Sequence, residues 1–251
     1  MKTLALHLYR ALVTGAGRGI GREIVRLLLS SGASVVAVSR TQANLDSLKN
    51  EFINFPLEIV CVDLSKWNET ETALKPYSHS IDLLVNNAAY AHCIPLEEIT
   101  EEHMDIHWNL NVKAAVNVTR LVSNGMKERR YGAIVNNSSI AGLIGVANHL
   151  AYGASKAALD MVTKVTALEL GHYNIRVNSV NPTVTWTEMA MAGWSDKVKR
   201  DTMMEKIPLK RFAEPIEVAQ TIVYLLSDRA SMLNGIMLPI DGGQSNTSCP
   251  I

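Results

Sequence analysis

Residues 10–21 read RALVTGAGRGIG, and this stretch decides the fold. The apolar run at its start predicts a short buried strand, and Ile24, Leu27 and Leu28 predict a helix directly after the glycines. A strand, a glycine-rich turn and a helix form the context in which a dinucleotide is bound. Glycines let the backbone approach a pyrophosphate, which the amide groups and dipole of the helix N-terminus attract. The glycines at 15, 19 and 21 are spaced differently from the common G-x-G-x-x-G pattern.

Six further apolar runs follow this strand, and helical patterns separate them. Strands that alternate with helices predict a parallel sheet. We therefore expect an α/β fold, a single doubly wound Rossmann-type domain over residues 1–251 with a seven-stranded parallel sheet flanked by helices. Residues 185–206 are rich in Met, Trp and Thr and are predicted to form a mobile lid. The runs are Ser34–Val38, Leu57–Val62, Ile81–Val85, Gly132–Asn137, Ile175–Val180 and Ile236–Ile240, and the main helical patterns cover 45–52, 96–130, 151–171 and 215–226.

Composition excludes several classes of protein. The chain is 47% hydrophobic and 19% charged with a formal net charge of +0, an ordinary globular balance. Because lysine and arginine form no long run, we expect neither nucleic acid nor an acidic membrane surface as a partner. The sequence contains no run of 18 apolar residues, so we expect no membrane span. Residues 1–13 weakly resemble a targeting peptide but continue into the first strand, so we expect no secretory signal.

The cysteines and a histidine pair give no sign of a metal. Cys61, Cys93 and Cys249 show neither ligand spacing nor a disulfide framework, which is typical of a reducing compartment. His103 and His107 lie one helical turn apart, as zinc ligands can, but no third ligand is near them in the sequence. We therefore expect a solvated helix face at these histidines and no metal site.

A second informative stretch is YGASK, residues 152–156, at the start of a helical pattern. Tyr152 and Lys156 are four residues apart and therefore share one helix face. An ammonium beside a phenol favours the phenolate and lowers the phenol's pKa from its usual value near ~10. Tyr152 would then exchange a proton near neutral pH, as general acid–base catalysis requires. The alternative is an ordinary tyrosine beside a solvated lysine, since the pattern is common by chance.

The end of the second predicted strand indicates which dinucleotide is bound. NAD-binding domains usually carry an acidic residue there for the ribose 2′-hydroxyl. This chain has Ser39, Arg40 and Thr41 instead, and Arg18 lies on the glycine-rich turn. Two guanidinium groups would pair with a 2′-phosphate, which favours NADP. The alternative is that both arginines are solvated surface groups.

Polar residues follow the third and fourth predicted strands, where ligands lie in open parallel sheets. Asp63 and Leu64 end the third strand, and NNAA at 86–89 follows the fourth. Two amides and two small residues there favour a close backbone approach to a cofactor, with a plain turn as the alternative. Asn111 lies inside a helical pattern, where asparagine is mildly unfavourable, and this indicates a functional role or a solvated side chain.

Together these motifs resemble the short-chain dehydrogenase/reductase family over nearly the whole chain. The resemblance rests on TGAGRGIG at 14–21, NNAA at 86–89, Asn111, Ser139, the Tyr152/Lys156 pair and Asn-Pro at 181–182. Ser139 lies thirteen residues before Tyr152, the usual spacing in that family. The resemblance implies that the family's catalytic residues fall on Asn111, Ser139, Tyr152 and Lys156.

The resemblance also implies roles for individual residues. The substrate carbonyl would accept hydrogen bonds from Ser139 and Tyr152, and Tyr152 would donate the proton. Lys156 would lower the tyrosine pKa and hold the nicotinamide ribose, while Asn111 would position a water that relays protons to Lys156. Expected cofactor contacts are Gly15, Arg18, Gly19, Ile20, Gly21, Ser39, Arg40, Thr41, Asp63, Leu64, Asn87, Ala88, Tyr152, Lys156, Pro182, Val184 and Thr187.

The stretches VVAVSRTQA at 35–43, CVDL at 61–64, NPTV at 181–184 and WSD at 194–196 resemble more narrowly the branch of tetrameric carbonyl reductases that acts on α-dicarbonyls and L-xylulose. That likeness implies a cytoplasmic, homotetrameric, NADPH-dependent reductase, with His149 and Trp194 lining the substrate pocket beside Ser139 and Tyr152. Ile140 departs from this branch, which has glutamine after the serine, and an isoleucine cannot hydrogen-bond a polyol. Alternatives are a hydroxysteroid dehydrogenase, a 3-oxoacyl reductase, or a non-enzymatic NADP-binding sensor or scaffold on the same fold.

Overall fold

The computed structural model describes residues 6 and 9–246. Within them, seven strands form one sheet in the order β3-β2-β1-β4-β5-β6-β7, and every neighbouring pair is parallel. The strands are β1 (Arg10–Thr14), β2 (Ser34–Ser39), β3 (Leu57–Cys61), β4 (Leu83–Asn86), β5 (Gly132–Asn137), β6 (Ile175–Pro182) and β7 (Met237–Ile240). The predicted α/β fold with a seven-stranded parallel sheet is confirmed.

Nine α-helices of the described residues connect and cover the strands. They are α1 (Gly19–Ser30), α2 (Gln42–Glu51), α3 (Trp67–Leu74), α4 (Glu101–His107), α5 (Ala114–Arg129), α6 (Leu150–Gly171), α7 (Glu188–Gly193), α8 (Lys197–Glu205) and α9 (Pro215–Leu226). None of the helices within residues 6 and 9–246 is both long and apolar enough to cross a membrane. Residues 1–13, where no secretory signal is predicted, lie partly outside the described residues, and Cys249 lies wholly outside them.

Two hydrophobic layers bury the sheet on both faces. One layer packs α1 and α9 against side chains such as Val13 and Val35, and the other packs α5 and α6 against side chains such as Leu12 and Val36. Neighbouring residues of a strand point to opposite faces, so a strand buried on both faces must be apolar throughout. This requirement explains why the apolar runs of the sequence predicted the positions of the strands.

The glycine-rich turn lies where the strand order reverses. β1 pairs with β2 on one side and with β4 on the other, so the connections after β1 and β4 leave in opposite directions. In open α/β sheets such a reversal opens a crevice at the carboxyl ends of the strands. The turns after β1, β4 and β5 meet at this crevice, and the sequence motifs therefore converge there.

The structure refines three predicted boundaries. The helical pattern at 96–130 is divided into a 3₁₀ turn (Leu96–Glu98), α4, a π-helix (Trp108–Lys113) and α5. β6 continues through Asn181 and Pro182, which were predicted to follow the strand, because Ser179–Pro182 pair with β7. The segment predicted as a lid, residues 185–206, contains α7 and α8.

Candidate active site

Ser139 lies at the end of β5, beside the end of β6. Its side chain is buried, and its hydroxyl accepts a hydrogen bond from the backbone N–H of Ala141 (3.1 Å), which starts a 3₁₀ turn at Ile140–Gly142. Asn181 of β6 donates its side-chain amide to the Ser139 carbonyl (3.0 Å). Since the carboxyl ends of parallel strands meet at one edge, the two strands fix this serine from both sides.

The first turns of α6 carry Tyr152 and Lys156 to the same edge. The Ser139 side chain lies close enough to the Tyr152 hydroxyl to lower its pKa. One turn later, Lys156 is only 2% exposed, and its ammonium donates to the backbone carbonyl of Asn137 (2.8 Å). The Lys156 Nζ lies 5.6 Å from the centroid of the Tyr152 ring. The structure thus brings together three of the four residues predicted to be catalytic.

The ionisation of this pair differs from the expectation. Burial raises the pKa of Tyr152 to about 12, and the hydrogen bond from Ser139 lowers it only in part. Burial also lowers the pKa of Lys156 to about 8, while the negative charge of Asp160 opposes that shift. The predicted lowering of the phenol's pKa by Lys156 is therefore wrong for this arrangement. The spacing of four residues reveals proximity, but it does not reveal that Lys156 is withdrawn from water or that the phenol is largely desolvated.

Asp160 is a buried carboxylate that sequence reasoning missed. It lies one turn after Lys156 and is 5% exposed. Its oxygens accept from the Ser179 hydroxyl (3.0 Å) and from the Asn181 amide (2.8 Å), and the same amide holds the Ser139 carbonyl. Burial raises the pKa of Asp160 against the lowering effect of these hydrogen bonds and of Lys156. The sequence did contain a signal for Asp160, because it is an acidic residue on the core-facing side of an apolar helix.

Asn111, the fourth predicted residue, lies in the π-helix and is 1% exposed. Its amide nitrogen donates to the Tyr90 carbonyl (2.9 Å) and to the Ser155 hydroxyl (2.9 Å), and its oxygen accepts from the Tyr90 N–H (2.8 Å). Asn86 and Asn111 line a small cavity of about 10 Å³. That volume is close to the minimum that holds one water. The predicted water relay remains a prediction.

The position of His107 contradicts a prediction made from the sequence. The His103/His107 pair was predicted to be a solvated helix face, but His107 is 1% exposed, and both of its ring nitrogens contact backbone groups. In the part of the chain that the structure describes, no cluster of three or more His, Cys, Asp or Glu side chains is arranged to hold a metal ion.

The glycine-rich turn has the geometry of a phosphate cradle. Gly15 and Gly19 adopt φ values of +65° and +54°, a backbone region that side chains disfavour. A Cβ atom at Gly21 would lie 2.2 Å from the Gly15 carbonyl oxygen, so only glycine fits there. The turn leads directly into α1, whose N-terminal amides face the crevice. These residues fit the pyrophosphate of a dinucleotide.

Hydrogen bonds join this turn to the segment after β4. The Thr14 hydroxyl accepts from the backbone N–H groups of Asn87 (2.9 Å) and Ala88 (3.0 Å). The Asn87 amide donates to the carbonyls of Thr14 (3.0 Å) and Gly15 (3.2 Å), and its oxygen accepts from the Asn137 amide (2.9 Å). Asn87 therefore links the ends of β1, β4 and β5.

Comparison with known proteins identifies the family. Residues 15–245 match the protein family described as enoyl-(acyl carrier protein) reductase. The L-xylulose reductase of Bos taurus is 52% identical over 235 residues, which cover 93% of this chain and 95% of that protein. The carbonyl reductase [NADPH] 2 of Sus scrofa is 44% identical, with 93% and 95% of the two chains covered. The chain belongs to the short-chain dehydrogenase/reductase family. It is therefore an oxidoreductase that acts on carbonyl or CH–OH groups.

A solved structure supports the same assignment. The gluconate 5-dehydrogenase of Burkholderia cenocepacia J2315, in complex with NADP and tartrate, superposes with a TM-score of 0.92 at 27% identity. The superposition covers 98% of each chain. The predicted resemblance to the short-chain dehydrogenase/reductase family is thus confirmed over the whole fold.

The arginines predicted to select the cofactor lie at the outer edge of this short-chain dehydrogenase/reductase site. The Arg18 side chain is 57% exposed, and its guanidinium lies 4.0 Å from the Glu188 carboxylate at the start of α7. Arg40, directly after β2, is also exposed. Both groups are accessible to an anion that enters from solvent.

The remaining predicted cofactor residues lie along the same edge. The Asp63 carboxylate accepts from the Ser65 backbone N–H (3.0 Å) and hydroxyl (2.8 Å). Thr187 caps α7, and a Cβ atom at Gly19 would lie 3.2 Å from its methyl group, so α7 begins next to the glycine-rich turn. Leu64 and Pro182 are buried, whereas Ile20, Ser39 and Val184 are partly exposed and Thr41 is exposed.

The predicted substrate residues differ in their positions. The His149 ring lies 6.2 Å from the Tyr152 ring, and its Nδ1 contacts the Ala147 carbonyl (2.7 Å). Trp194 packs against Phe212, with 5.5 Å between ring centroids. Ile140 is buried, at 4% exposure, directly beside Ser139. His149 therefore approaches the phenol, and Trp194 anchors the segment that contains α7 and α8.

Proposed function

We propose that the chain is an NADPH-dependent reductase of small carbonyl compounds, acting on α-dicarbonyls such as diacetyl and on L-xylulose. One observation carries the proposal: Ser139, Tyr152 and Lys156 converge at the crevice beside a glycine cradle that fits a dinucleotide. Relatives at 52% and 44% identity named for L-xylulose and carbonyl reduction support the substrate class. A role in xylose metabolism would follow from L-xylulose as a substrate.

Ser139 and Tyr152 would act on the carbonyl oxygen. When bound, NADPH supplies hydride to the carbonyl carbon. Both hydroxyl groups donate hydrogen bonds to the oxygen as negative charge develops, and Tyr152 then gives up its proton. A phenol pKa of about 12 keeps that proton in place through the neutral range. The Lys156 ammonium stabilises the phenolate that remains, and Asn111 holds the water that returns the proton through Lys156.

The cofactor would lie along the carboxyl edge of β1, β2 and β4. The glycine cradle would hold the pyrophosphate, and the exposed guanidinium groups of Arg18 and Arg40 would pair with the 2′-phosphate of NADP. Asp63 and Leu64 would lie near the adenine and Asn87 near the ribose, while Val184 and Thr187 would contact the carboxamide. An acidic residue in place of Arg40 would instead favour NAD.

A panel of carbonyl compounds tests the proposal. The purified protein is assayed with NADPH and with NADH on diacetyl, L-xylulose, a ketosteroid and an acetoacetyl thioester. We expect NADPH-dependent reduction of diacetyl and L-xylulose, with xylitol formed from the latter. Activity on the steroid or the thioester alone would favour a hydroxysteroid dehydrogenase or a 3-oxoacyl reductase. Tight NADPH binding without turnover of any carbonyl would favour a sensor or scaffold.

The exposed face of α6 supports a homotetramer. Met161, Val165 and Leu168 are 56%, 43% and 82% exposed, and they recur at helical spacing on one face. Exposed apolar patches of this kind mark association surfaces. We expect light scattering to give the mass of four chains at micromolar concentration. A monomer under those conditions would contradict this assembly.

A cytoplasmic location is the final part of the proposal. Cys61 and Cys93 are both exposed and unpaired among the described residues. Exposed free thiols persist in reducing compartments. Cell fractionation with an antibody against the protein tests this location, and recovery in the mitochondrial fraction would argue for the organelle instead.

A further inference from the structure

His107, the last residue of α4, is a buried side chain that the proposed chemistry does not use. Its Nδ1 lies 2.6 Å from the backbone carbonyl oxygen of His103, and its Nε2 lies 3.2 Å from the backbone nitrogen of His92. A carbonyl only accepts and a backbone N–H only donates. Nδ1 must therefore carry the proton and Nε2 must accept. Two backbone groups thus select one neutral tautomer of this ring.

The segment that follows β4 is held at both ends by side chains of one helical stretch. Asn111 binds the N–H and the carbonyl of Tyr90, while His107 binds the N–H of His92. The two side chains are four residues apart across the junction of α4 and the π-helix. Segment 90–92 therefore depends on this pair for its position.

The ring of His107 lies between this segment and Tyr152, and Cys93, which follows the segment directly, acts electrostatically on the Tyr152 phenol. The ring of His107 lies 5.0 Å from that of Tyr90 and 6.4 Å from that of Tyr152. The ring of His92 lies 6.4 Å from that of Tyr90. A displacement of segment 90–92 would therefore change the space next to the proposed proton donor, although Tyr90, His92 and His107 do not themselves exchange a proton with the substrate.

We infer that neutral His107 is a positioning residue that holds segment 90–92 beside Tyr152, and that protonation of His107 releases this segment. The second proton would go to Nε2, where the new N–H would face the N–H of His92 and break the hydrogen bond. The inference rests on the proposed reductase function and adds an acid-sensitive element to it.

The surroundings of His107 favour its neutral form. Burial lowers the pKa of His107, the hydrogen bond to the His103 carbonyl raises it, and positive charge on His92 or His103 lowers it further. The groups that face it are His103 from α4, Tyr90 and His92 from the segment, and Tyr152 from α6. Below pH 6.5 an unfolded chain takes up a proton that the folded chain resists, so stability falls as the pH decreases.

Kinetics across acid pH test the inference. We expect kcat/KM for diacetyl to fall in wild type as the pH is lowered from about 8 to about 5, through the histidine range. His107→Phe keeps the ring but loses both hydrogen bonds, so kcat/KM near pH 8 should drop about tenfold, less than the ~10²-fold cost of a 1 Å misplacement. In this variant the acid decline due to His107 should vanish.

Two further variants distinguish the positioning role of His107 from the effect of its protonation. His107→Gln offers a donor and an acceptor but does not titrate, so it should restore the rate near pH 8 without the acid decline. His172→Phe removes an exposed histidine at the C-terminal end of α6 and should retain the wild-type profile. A wild-type acid decline in His107→Phe and His107→Gln would overturn the inference, even if His107→Phe were less stable.

NMR supplies a readout that does not depend on turnover. With ¹⁵N-labelled histidine, the His107 ring should show a neutral ring with the proton on Nδ1 at neutral pH and should protonate below pH 6.5. The backbone signal of His92 should shift in the same titration. A ring that titrates at or above 6.5, or a His92 signal that does not follow it, would overturn the inference. Failure of the proposed function would appear separately, as a wild type that reduces none of the carbonyl compounds.

Discussion

The proposed catalytic corner and the proposed cofactor edge of this crevice are built in opposite ways. In the corner, Asn111, Ser139 and Lys156 are 1%, 8% and 2% exposed, and each is held by hydrogen bonds within the protein. At the outer edge, Arg18 and Arg40 are exposed to solvent. Groups withdrawn from water interact strongly with their neighbours, while exposed charges are screened. Substitutions in the corner should therefore change the rate, and those at the edge should change the selectivity.

The largest expected effect is that of Tyr152→Phe in the corner. The substitution keeps the ring and its packing but removes the proton donor, so turnover should fall on the order of 10³-fold, within the range of general acid catalysis. NADPH binding, measured by fluorescence titration, should be nearly unchanged. The matched control is Tyr131→Phe, which removes a hydroxyl bonded to Asp228 at the opposite edge of the sheet. Near-normal turnover in Tyr152→Phe would remove the tyrosine from the mechanism.

At the outer edge, Arg40→Asp should change the choice of cofactor. A carboxylate repels the 2′-phosphate of NADP and accepts from the 2′-hydroxyl of NAD. A charge-assisted hydrogen bond contributes about 1.5–3 kcal/mol, so the ratio of kcat/KM values should move at least about tenfold toward NADH. Arg229→Asp makes the same charge change next to Asp228, far from the crevice, and should leave the ratio unaltered. Equal use of NADH and NADPH by wild type would contradict this interpretation.

A smaller effect is expected when the charge behind Lys156 is removed. If reduction uses the Lys156 ammonium as proposed, kcat should decline as the pH rises through about 8, the pKa to which burial lowers Lys156. Asp160 raises the pKa of Lys156, so Asp160→Asn should move this decline to lower pH. The control Asp82→Asn, whose carboxylate pairs with Arg129, should leave the profile in place. A decline that does not move in Asp160→Asn would show that Lys156 ionises independently of this carboxylate.

The smallest expected effect concerns the choice between two substrates. Ile140→Gln would place an amide beside Ser139, where it can pair with a polyol hydroxyl whose loss costs about 1–3 kcal/mol when it is buried unpaired. L-Xylulose efficiency should rise several-fold, while diacetyl efficiency should stay nearly constant. Ile53→Gln, at a 70% exposed position, is the control. An unchanged or lower L-xylulose efficiency would reject this account of the pocket.

The sequence was sufficient for the fold because its signals are local. A strand buried on both faces must be apolar over its whole length, and Val35–Val38 and Ala133–Val135 could be recognised on that basis alone. Pro215 at the start of α9 and the glycines after β1 mark their boundaries in the same way. The order of the motifs was sufficient to identify the family.

The parts that were not predicted depend on contacts between distant residues. The prediction for His103 and His107 rested on their spacing alone. His107 is instead buried, and its ring contacts the backbone of segment 90–92. The role of Asp160 requires β6 to lie beside α6, and the shifted pKa values of Tyr152 and Lys156 arise from desolvation by surrounding elements that are distant in sequence. The roles of the individual site residues remain predictions that the variants above test.

The π-helix at Trp108–Lys113 has a consequence for comparing this chain with others. A π-turn contains one residue more than an α-turn, and such insertions often occur at functional sites. A π-helix turns less per residue than an α-helix, so the six residues Trp108–Lys113 cover roughly the rotation of five α-helical residues. A relative that lacks one residue here would therefore keep His107 before the stretch, and Val118, Val122 and Met126 after it, in the same helical phase. A one-residue gap in this stretch of an alignment thus marks a relative that keeps the core but must replace the hydrogen bonds between Asn111 and Tyr90.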